Sequence, residues 1–406
     1  GGAEAALKVA ALLGEFPKLS ERFLAREMAE LVRGGLDLHV FSLKRGDPSL
    51  LEEQPFASLG PRSSVLPPYW SPRMLAAKLR SPLESLREFL LLPAYLRSLP
   101  GDPRRTFSAF IRNDWASLLL EAARREACDL IWANWASLPG SVAWAASIMG
   151  GVPLALSCHA WDVFVNRALV RAQLRRAAVV TTCTCAASDH LRETYGVDAG
   201  KVQVVRHGVR VPDSPAPPRK PPAGGPLRVL GLGRLVAKKG FGDLIAAAPA
   251  GNFEVELIGD GPELDSLRAA AAQPGAAGRV QFRGPANAAG IDEAFERCDA
   301  ICAPSVLAPD GDRDGVPNCL LEASLAGLPV IASDAGGLPE FAEEGRTALV
   351  VPAGDPRAIA DAVGRLANED GLAARLVSAA RELIRERFNL EANAARLAEL
   401  LRGAAG

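Results

Sequence analysis

The sequence predicts an α/β chain of two doubly wound, parallel-sheet domains. Three observations carry that prediction. Short apolar runs fit for buried strands alternate with helical segments from residue 7 to 205, and the alternation restarts at residue 227. Between them, residues 211–225 hold six prolines and no aromatic residue, Leu or Ile, the composition of a linker or hinge. A length of 406 residues exceeds one ordinary core and favours two or three domains.

The first series opens with a strand at 7–13 (LKVAALL) and a loop carrying Gly14, Glu15, Lys18 and Ser20. A helix at 21–33 follows, stopped by Gly34 and Gly35, and then a strand at 38–43. Residues 47–74 read as surface loops with short elements. From 74 to 99 apolar residues mix with Lys78, Arg80, Arg87 and Arg97, interrupted by Pro82 and Pro93. Leu86, Phe89, Leu90, Leu91, Leu92, Tyr95 and Leu96 there fit either a core helix pair or a face for a lipid surface. Helices at 116–127, 137–149 and 187–195 alternate with strands at 128–133, 152–157, 177–183 and 202–205. The strand at 152–157 delivers Cys158, His159, Trp161 and Asp162 to its carboxyl end.

The second series has strands at 227–233, 253–258, 280–282 (edge-like), 300–303 and 329–332, with helices at 241–248, 264–272 and 291–297. Val316, Pro317 and Asn318 form the first turn of a helix carrying Cys319 and Glu322 and ending at Gly327. Gly336 and Gly337 precede another helix starting near Leu338. The tail is helical at 356–368, 372–388 and 390–401. The expected domains are 1–210, completed by 380–406, and 211–379.

Net charge is −1, which excludes a simple polyanion binder, and no nucleic-acid signature is present. The balance is uneven: residues 1–210 carry 26 basic against 20 acidic side chains, and residues 211–406 carry 20 against 27. A basic first half suits an anionic partner or membrane surface, although such asymmetry also arises by chance. Seven cysteines, an odd number without zinc-type spacing, point to a reducing cytoplasm rather than a disulfide framework. The opening GGAEAA lacks the features of a signal peptide, and no apolar run is long enough to span a bilayer.

Two helix N-termini and a glycine pair beyond the carboxyl ends of parallel strands are suited to a diphosphate. Arg234 with one of Lys238 and Lys239 would supply the positive charge, unless these three are only a solvated helix start. Glu322, a carboxylate on an apolar helix, needs a partner such as ribose hydroxyls. Asp314, at a loop tip, can accept hydrogen bonds from a transferred sugar. The Asp310, Asp312, Asp314 run lacks the closing glutamate of a calcium loop, so no metal is expected. His159 can serve as a general base, a hydrogen-bond partner for a hydroxyl, or a packed polar group. His207 reads as a hinge contact, and His39 and His190 as structural.

These residues carry a resemblance. FPKLSERF at 16–23, SCHAWDVF at 157–164, RHGV at 206–209, GLGRLVAKKG at 231–240, IGDGPEL at 258–264 and DGVPNCLLEASLAGLPVIASDAGGLPE at 314–340 together resemble family 4 of the retaining glycosyltransferases. Bacterial exopolysaccharide, lipopolysaccharide and colanic-acid-type hexosyltransferases are the members most similar. The resemblance implies the GT-B fold, two facing Rossmann-like domains with an interdomain cleft. It implies a nucleotide-diphosphate sugar as donor, UDP- or GDP-hexose, with no required cofactor or metal. The acceptor would be a glycan or lipid-linked hydroxyl in surface polysaccharide biosynthesis. The basic first half and the 74–99 segment fit a lipid-linked acceptor, with peripheral contact to an anionic membrane at the cytoplasmic face, and a soluble acceptor fits almost as well.

By position, the resemblance makes His159, Arg234, Lys239 and Asp314 catalytic, with Asp314 standing where most members have glutamate. Glu322, Gly233, Pro317, Asn318, Cys319, Gly336 and Gly337 fall on the donor side. Glu15, Lys18, Ser20, Trp161 and Asp162 fall on the acceptor side. A nucleotide-sugar epimerase or hydrolase, or a nonenzymatic nucleotide-sugar-binding module, shares the architecture and stands as the alternative.

Overall fold

The computed structural model describes residues 6–68, 71–73, 76, 79, 87–214, 216–219 and 225–406. The chain forms two compact units, one running to His207 and completed by Leu390–Gly406, the other Gly208–Asn389. The expected boundaries at 210 and 380 therefore differ by a few residues and by ten.

The first unit is a parallel sheet of order β3-β2-β1-β4-β5-β6-β7. Its strands are β1 (Lys8–Phe16), β2 (Asp37–Arg45), β3 (Ser63–Val65), β4 (Leu130–Ala133), β5 (Leu154–Cys158), β6 (Val179–Thr182) and β7 (Val202–Val204). Helix α1 (Arg22–Arg33) follows β1. The next helices are α2 (Phe56–Leu59), α3 (Leu92–Ser98), α4 (Pro103–Ile111), α5 (Asp114–Arg125), α6 (Leu138–Gly150), α7 (Ala160–Phe164), α8 (Val170–Arg176) and α9 (Cys185–Tyr195).

Alternation along β1 sorts the core: Ala10 and Leu12 face α5 and α6, while Val9, Ala11 and Leu13 face α1. Helix α1 answers with Leu24, Ala25, Met28 and Leu31, the spacing of one helical face.

The second unit repeats the plan with order β10-β9-β8-β11-β12-β13, all parallel. Its strands are β8 (Leu227–Leu232), β9 (Phe253–Ile258), β10 (Val280–Gly284), β11 (Ala300–Ala303), β12 (Val330–Ser333) and β13 (Leu349–Val351). Helices α10 (Phe241–Ala247), α11 (Leu264–Ala271), α12 (Ala288–Arg297), α13 (Asn318–Leu325), α14 (Pro356–Asn368) and α15 (Leu372–Arg387) cover both faces. Helix α14 starts sharply because the Asp355 side chain accepts from the Arg357 and Ala358 N–H groups and Pro356 occupies the first turn. The last helix, α16 (Leu390–Ala405), belongs to the first unit. Its Leu397 and Leu401 are fully buried in the core shared by α1 and Trp132, each worth roughly 1.5–3 kcal/mol of apolar burial.

Several expectations change. The helix expected from Leu338 is a single 3-10 turn, Leu338–Glu340. Beyond it, Thr347 takes the Glu343 N–H and donates to the Phe341 carbonyl, drawing the chain out of helical geometry. The described part of the proline-rich stretch is not a free linker. Val209 bridges to Asn389, Arg219 N–H donates to the Gly327 carbonyl at 2.9 Å, and buried Arg381 donates to the carbonyls of Ala216, Ser324 and Leu325. Of the ambiguous 74–99 segment, Leu91 and Tyr95 are buried whereas Leu90, Leu92 and Leu96 are exposed. Leu86 and the Phe89 side chain lie outside the described residues, as do residues 1–5 of the opening. Among the described residues no helix is long and apolar enough to cross a membrane.

Candidate active site

Each sheet ends, on its carboxyl side, in a cluster of the residues singled out above. In the second unit the chain leaves β8 at Gly233, where a Cβ would lie 3.2 Å from the Lys239 stem. Gly240 has φ +62, and a Cβ there would collide with the Pro304 carbonyl, so the loop after β8 can lie against the loop after β11 only as glycine. That approach brings Lys239 Nζ to 2.9 Å from Asp314 Oδ2 and Lys238 Nζ to 3.1 Å from the Asp312 carboxylate.

Asp314, expected at a loop tip, is buried instead. It also accepts from Ser305 Oγ at 2.7 Å, and its main-chain carbonyl accepts from the Gly337 N–H at 2.8 Å. Burial works to raise the Asp314 carboxyl, but Lys239 and then Lys238 outweigh it and hold the group below its ordinary value. Burial likewise works to lower the Lys239 ammonium, and Asp314 outweighs that, leaving it raised. Both partners stay ionised.

Helix α13 begins at Pro317 with no side-chain cap. The N–H groups of Asn318, Cys319 and Gly336 have no main-chain partner among the described residues. Both polar atoms of the Asn318 side chain are buried and unpaired there as well. Gly336 (φ +63) must be glycine because a Cβ would strike the Asp314 carbonyl, whereas the Gly337 amide, expected to face a ligand, is committed to that carbonyl. Cys319 Sγ points at the Leu232 carbonyl at 3.6 Å, and burial pushes its thiol up to about 11, so it is no nucleophile. Arg234 is exposed and forms no ion pair among the described residues. Glu322 is half-buried on α13.

In the first unit the carboxyl ends of β4, β5, β6 and β7 present Asn134 with Trp135, His159, Cys183 and His207. His159 opens α7, its backbone N–H donating to Asp162 Oδ2 at 3.3 Å. The His159 ring lies against Trp135, with centroids 4.3 Å apart, and the His207 ring against Phe23 at 4.5 Å. His159 Nδ1 is 3.2 Å from His207 Nε2, and His207 Nδ1 is 3.3 Å from Glu27 Oε2. His207 is thus a neighbour of His159 and also the last residue before the second unit begins at Gly208, the hinge position expected.

Burial, and secondly His207, push the His159 imidazole well below its ordinary range. Burial would also lower His207, but Cys183 and Glu27 outweigh it and raise the ring to about 10. Burial pushes the Asp162 acid up to about 7. Buried His159 Nε2, Asp162 Oδ1 and the Asn134 amide have no hydrogen-bond partner among the described residues. His159, Cys183 and His207 also offer ligand atoms within 4.8 Å of one another, a geometry that can admit a metal ion.

The acceptor-side expectations spread over this unit. Lys18 bridges Glu15 at 3.7 Å and Glu21 at 3.0 Å, and Ser20 is exposed in the turn before α1. Trp161 lies under the Arg105 guanidinium at 4.9 Å, and Asp162 is buried. A cavity of about 920 Å³ at the ends of β1, β2 and β3 is lined by Phe16, Pro17, Arg45, Val65 and Arg73 among others, and by none of those five residues. Sequence reasoning missed Glu27, Asn134, Cys183 and Ser305. The usable signal was topological, since a polar residue just past a buried strand is where such sheets carry sites.

Two family models match. Residues 20–212 match the model described as "Glycosyltransferase Family 4" and residues 226–369 that described as "Glycosyl transferases group 1". The amylovoran biosynthesis glycosyltransferase AmsK of Erwinia amylovora is 33% identical over 217 residues, 52% of this chain and 53% of that one. A GDP-mannose-dependent alpha-(1-6)-phosphatidylinositol monomannoside mannosyltransferase of Mycobacterium tuberculosis is 34% identical over 181 residues, 43% and 47% of the two chains. The match spans about half the length of these relatives. Among solved structures, Anabaena Alr3699/HepE in complex with UDP and glucose superposes with a TM-score of 0.70 at 20% identity, covering 98% of this chain and 99% of that one. The two Rossmann-like parallel-sheet units are those of the GT-B fold.

Proposed function

We propose that this chain, a GT-B-fold relative of the bacterial exopolysaccharide, lipopolysaccharide and colanic-acid-type hexosyltransferases, transfers a hexosyl group from a nucleotide-diphosphate sugar to an acceptor hydroxyl with retention of configuration. The observation that carries this reading is the start of α13. There the N–H groups of Asn318, Cys319 and Gly336, which have no main-chain partner among the described residues, lie with the Asn318 side chain near Lys239 and exposed Arg234. Uncapped helix N–H groups beside two cations suit a diphosphate.

In this reading Arg234 and Lys239 hold the diphosphate and stabilise the charge that grows on it as its bond to C1 breaks. Lys239 shares itself with Asp314, which fixes the ammonium in place before any ligand arrives. Glu322 accepts from the ribose hydroxyls. The acceptor oxygen bonds to C1, and its proton passes to the departing phosphate oxygen, so no protein base is needed. His159 hydrogen-bonds a sugar or acceptor hydroxyl. The UDP and glucose held by the Anabaena protein and the GDP-mannose named for the mycobacterial relative support a nucleotide-sugar donor.

For the acceptor, a lipid-linked glycan at an anionic membrane face is favoured by one surface. Leu90, Leu92, Leu96, Leu99, Phe107 and Phe110 are exposed on and around α3 and α4, beside exposed Arg97 and Arg104. The protein would then work in the cytoplasm.

The test is a thermal-shift screen across UDP, GDP, ADP and their hexose conjugates, followed by acceptor-dependent assays. The expected result is stabilisation by one nucleotide series and sugar transfer that requires acceptor. No stabilisation by any of them, or sugar released equally well without acceptor, would overturn the reading.

A further inference from the structure

We propose that the cavity at the carboxyl ends of β1, β2 and β3 holds the acceptor by a phosphate group, and that this phosphate lies more than one sugar away from the hydroxyl that receives the hexose. That the occupant is an acceptor rests on the transferase proposal; the phosphate selectivity of the cavity does not.

The cavity measures about 920 Å³, within the range that encloses a small ligand, and its walls are fixed by hydrogen bonds. The Gly46 and Asp47 N–H groups donate to the Phe16 and Pro17 carbonyls at 3.0 and 3.2 Å, locking the chain after β2 to the chain after β1. Position 46 must be glycine for this, because a Cβ would strike the Pro17 carbonyl. On the other side the Leu66 N–H donates to the Ser42 carbonyl at 2.8 Å, and Trp115 Nε1 donates to the Pro67 carbonyl at 2.8 Å. A pocket pinned in this way exists before its ligand arrives.

Its charge is one-sided. Arg45 and Arg73 line it, and among the described residues no acidic side chain does. Nearby cations have carboxylates: Lys18 pairs with Glu21 at 3.0 Å, Arg22 with Glu53 at 3.7 Å and Arg62 with Asp37 at 2.7 Å. The side chains of Arg45 and Arg73 are exposed and have no ion pair or hydrogen bond among the described residues. Two guanidinium groups without counter-charge at one cavity call for an anion. A carboxylate is filled by one guanidinium fork, whereas a phosphate ester presents oxygens enough for two. Ser64 adds a hydroxyl for a sugar, and Leu51, Val65, Leu66 and Pro68 offer apolar surface to a sugar face or to the first carbons of a lipid chain.

Placement sets the length of the acceptor. The sheet order puts β2, which ends in Arg45, three strand positions from β5, which delivers His159. At the usual strand spacing that is roughly 14 Å along the carboxyl edge, farther than one hexose ring reaches. An acceptor with its phosphate at Arg45 and its reactive hydroxyl at His159 is therefore an oligosaccharide phosphate.

The first test needs no donor: calorimetry of the chain with maltose 1-phosphate, maltose, and cellobiouronic acid, a disaccharide bearing a carboxylate. Maltose 1-phosphate should bind at least about tenfold more tightly than either of the others. R45A/R73A should remove that preference while circular dichroism stays native, and R234A/K239A should keep it. Equal or no binding of the three, a preference for the carboxylate, or a phosphate preference that survives R45A/R73A overturns the proposal. The n-octyl ester of maltose 1-phosphate tells a lipid-borne phosphate from a soluble one. Binding about tenfold tighter than that of the parent compound assigns a lipid-linked acceptor, equal binding a soluble oligosaccharide phosphate, and either result upholds the site.

With a confirmed donor, an oligosaccharide phosphate should be glycosylated with at least about tenfold higher kcat/KM than the corresponding monosaccharide phosphate; parity would overturn the span. Phosphate-selective binding by a chain that transfers no sugar would uphold the cavity and defeat the transferase reading, whereas sugar transfer without that selectivity would do the reverse.

Discussion

The carboxyl ends of the two sheets are built from the same topology and solve opposite electrostatic problems. In the second unit the charged groups are matched: Lys238 and Lys239 against Asp312 and Asp314, with Ser305 filling a remaining acceptor. What is left open there is main-chain N–H at the start of α13 and the exposed Arg234. In the first unit charge is drawn back to His207 against Glu27, and the groups around His159 are kept neutral. Burial keeps His159 neutral and Asp162 able to hold a proton up to about 7, and among the described residues His159 Nε2 and the Asn134 amide have no hydrogen-bond partner. The difference teaches that an anion and a neutral hydroxyl call for different preparation. The first needs fixed positive charge that is already anchored; the second needs dry, aimed hydrogen-bonding groups.

The comparison breaks most visibly if the anchored cations are removed. Turnover of R234A/K239A should fall by roughly 10³-fold while circular dichroism stays native, since Lys238 remains 3.7 Å from Asp314; near-parental transfer would leave the second unit with no charge role. Next in size, H159A should lose about 10²-fold in kcat with nucleotide affinity unchanged, and a matched loss of affinity would move His159 to the nucleotide side. E322A should weaken nucleotide binding about tenfold by calorimetry, with little change in melting temperature.

The smallest effect concerns the dry end itself. The Asp162 acid is held to about 7 when folded against 3.8 ordinarily, so the unfolded chain sheds this proton first and stability falls as pH rises from about 4 to 7. D162N, which keeps an acceptor for the His159 N–H, should therefore melt at least ~3 °C higher than the parent at pH 8 and alike at pH 4. The reverse order would mean Asp162 is stabilised as the anion.

Much of the architecture was legible because buried strands and capped helices announce themselves locally. The runs at 253–258 and 300–303 became β9 and β11 with those limits, and Asp355-Pro356 marked the start of α14. The short strands β3 and β13, three residues each, carry too little pattern to be seen. Helix α4 was missed although Asp102-Pro103 gives it the same kind of start as α14, because residues 100–115 were assigned no element. At the site, Asp314 looked exposed because it follows a run of acids, and its lysine partners lie 75 and 76 positions earlier. The surroundings of His207 were hidden for the same reason: the carboxylate beside it, Glu27, is 180 residues away in sequence. Local pattern reports elements, whereas the environment of a charge is set by whatever the fold brings beside it.

The return of α16 to the first unit has a consequence for how the protein is made. Leu397 and Leu401 finish the apolar layer against Met28, Leu31 and Trp132, yet the ribosome delivers them only after every residue of the second unit. During synthesis the early sheet must wait, one greasy flank uncovered, until roughly 180 later residues have emerged. A nascent chain stalled just past Asn389 should bind holdase chaperones through that flank, and release them once the final helix clears the exit tunnel.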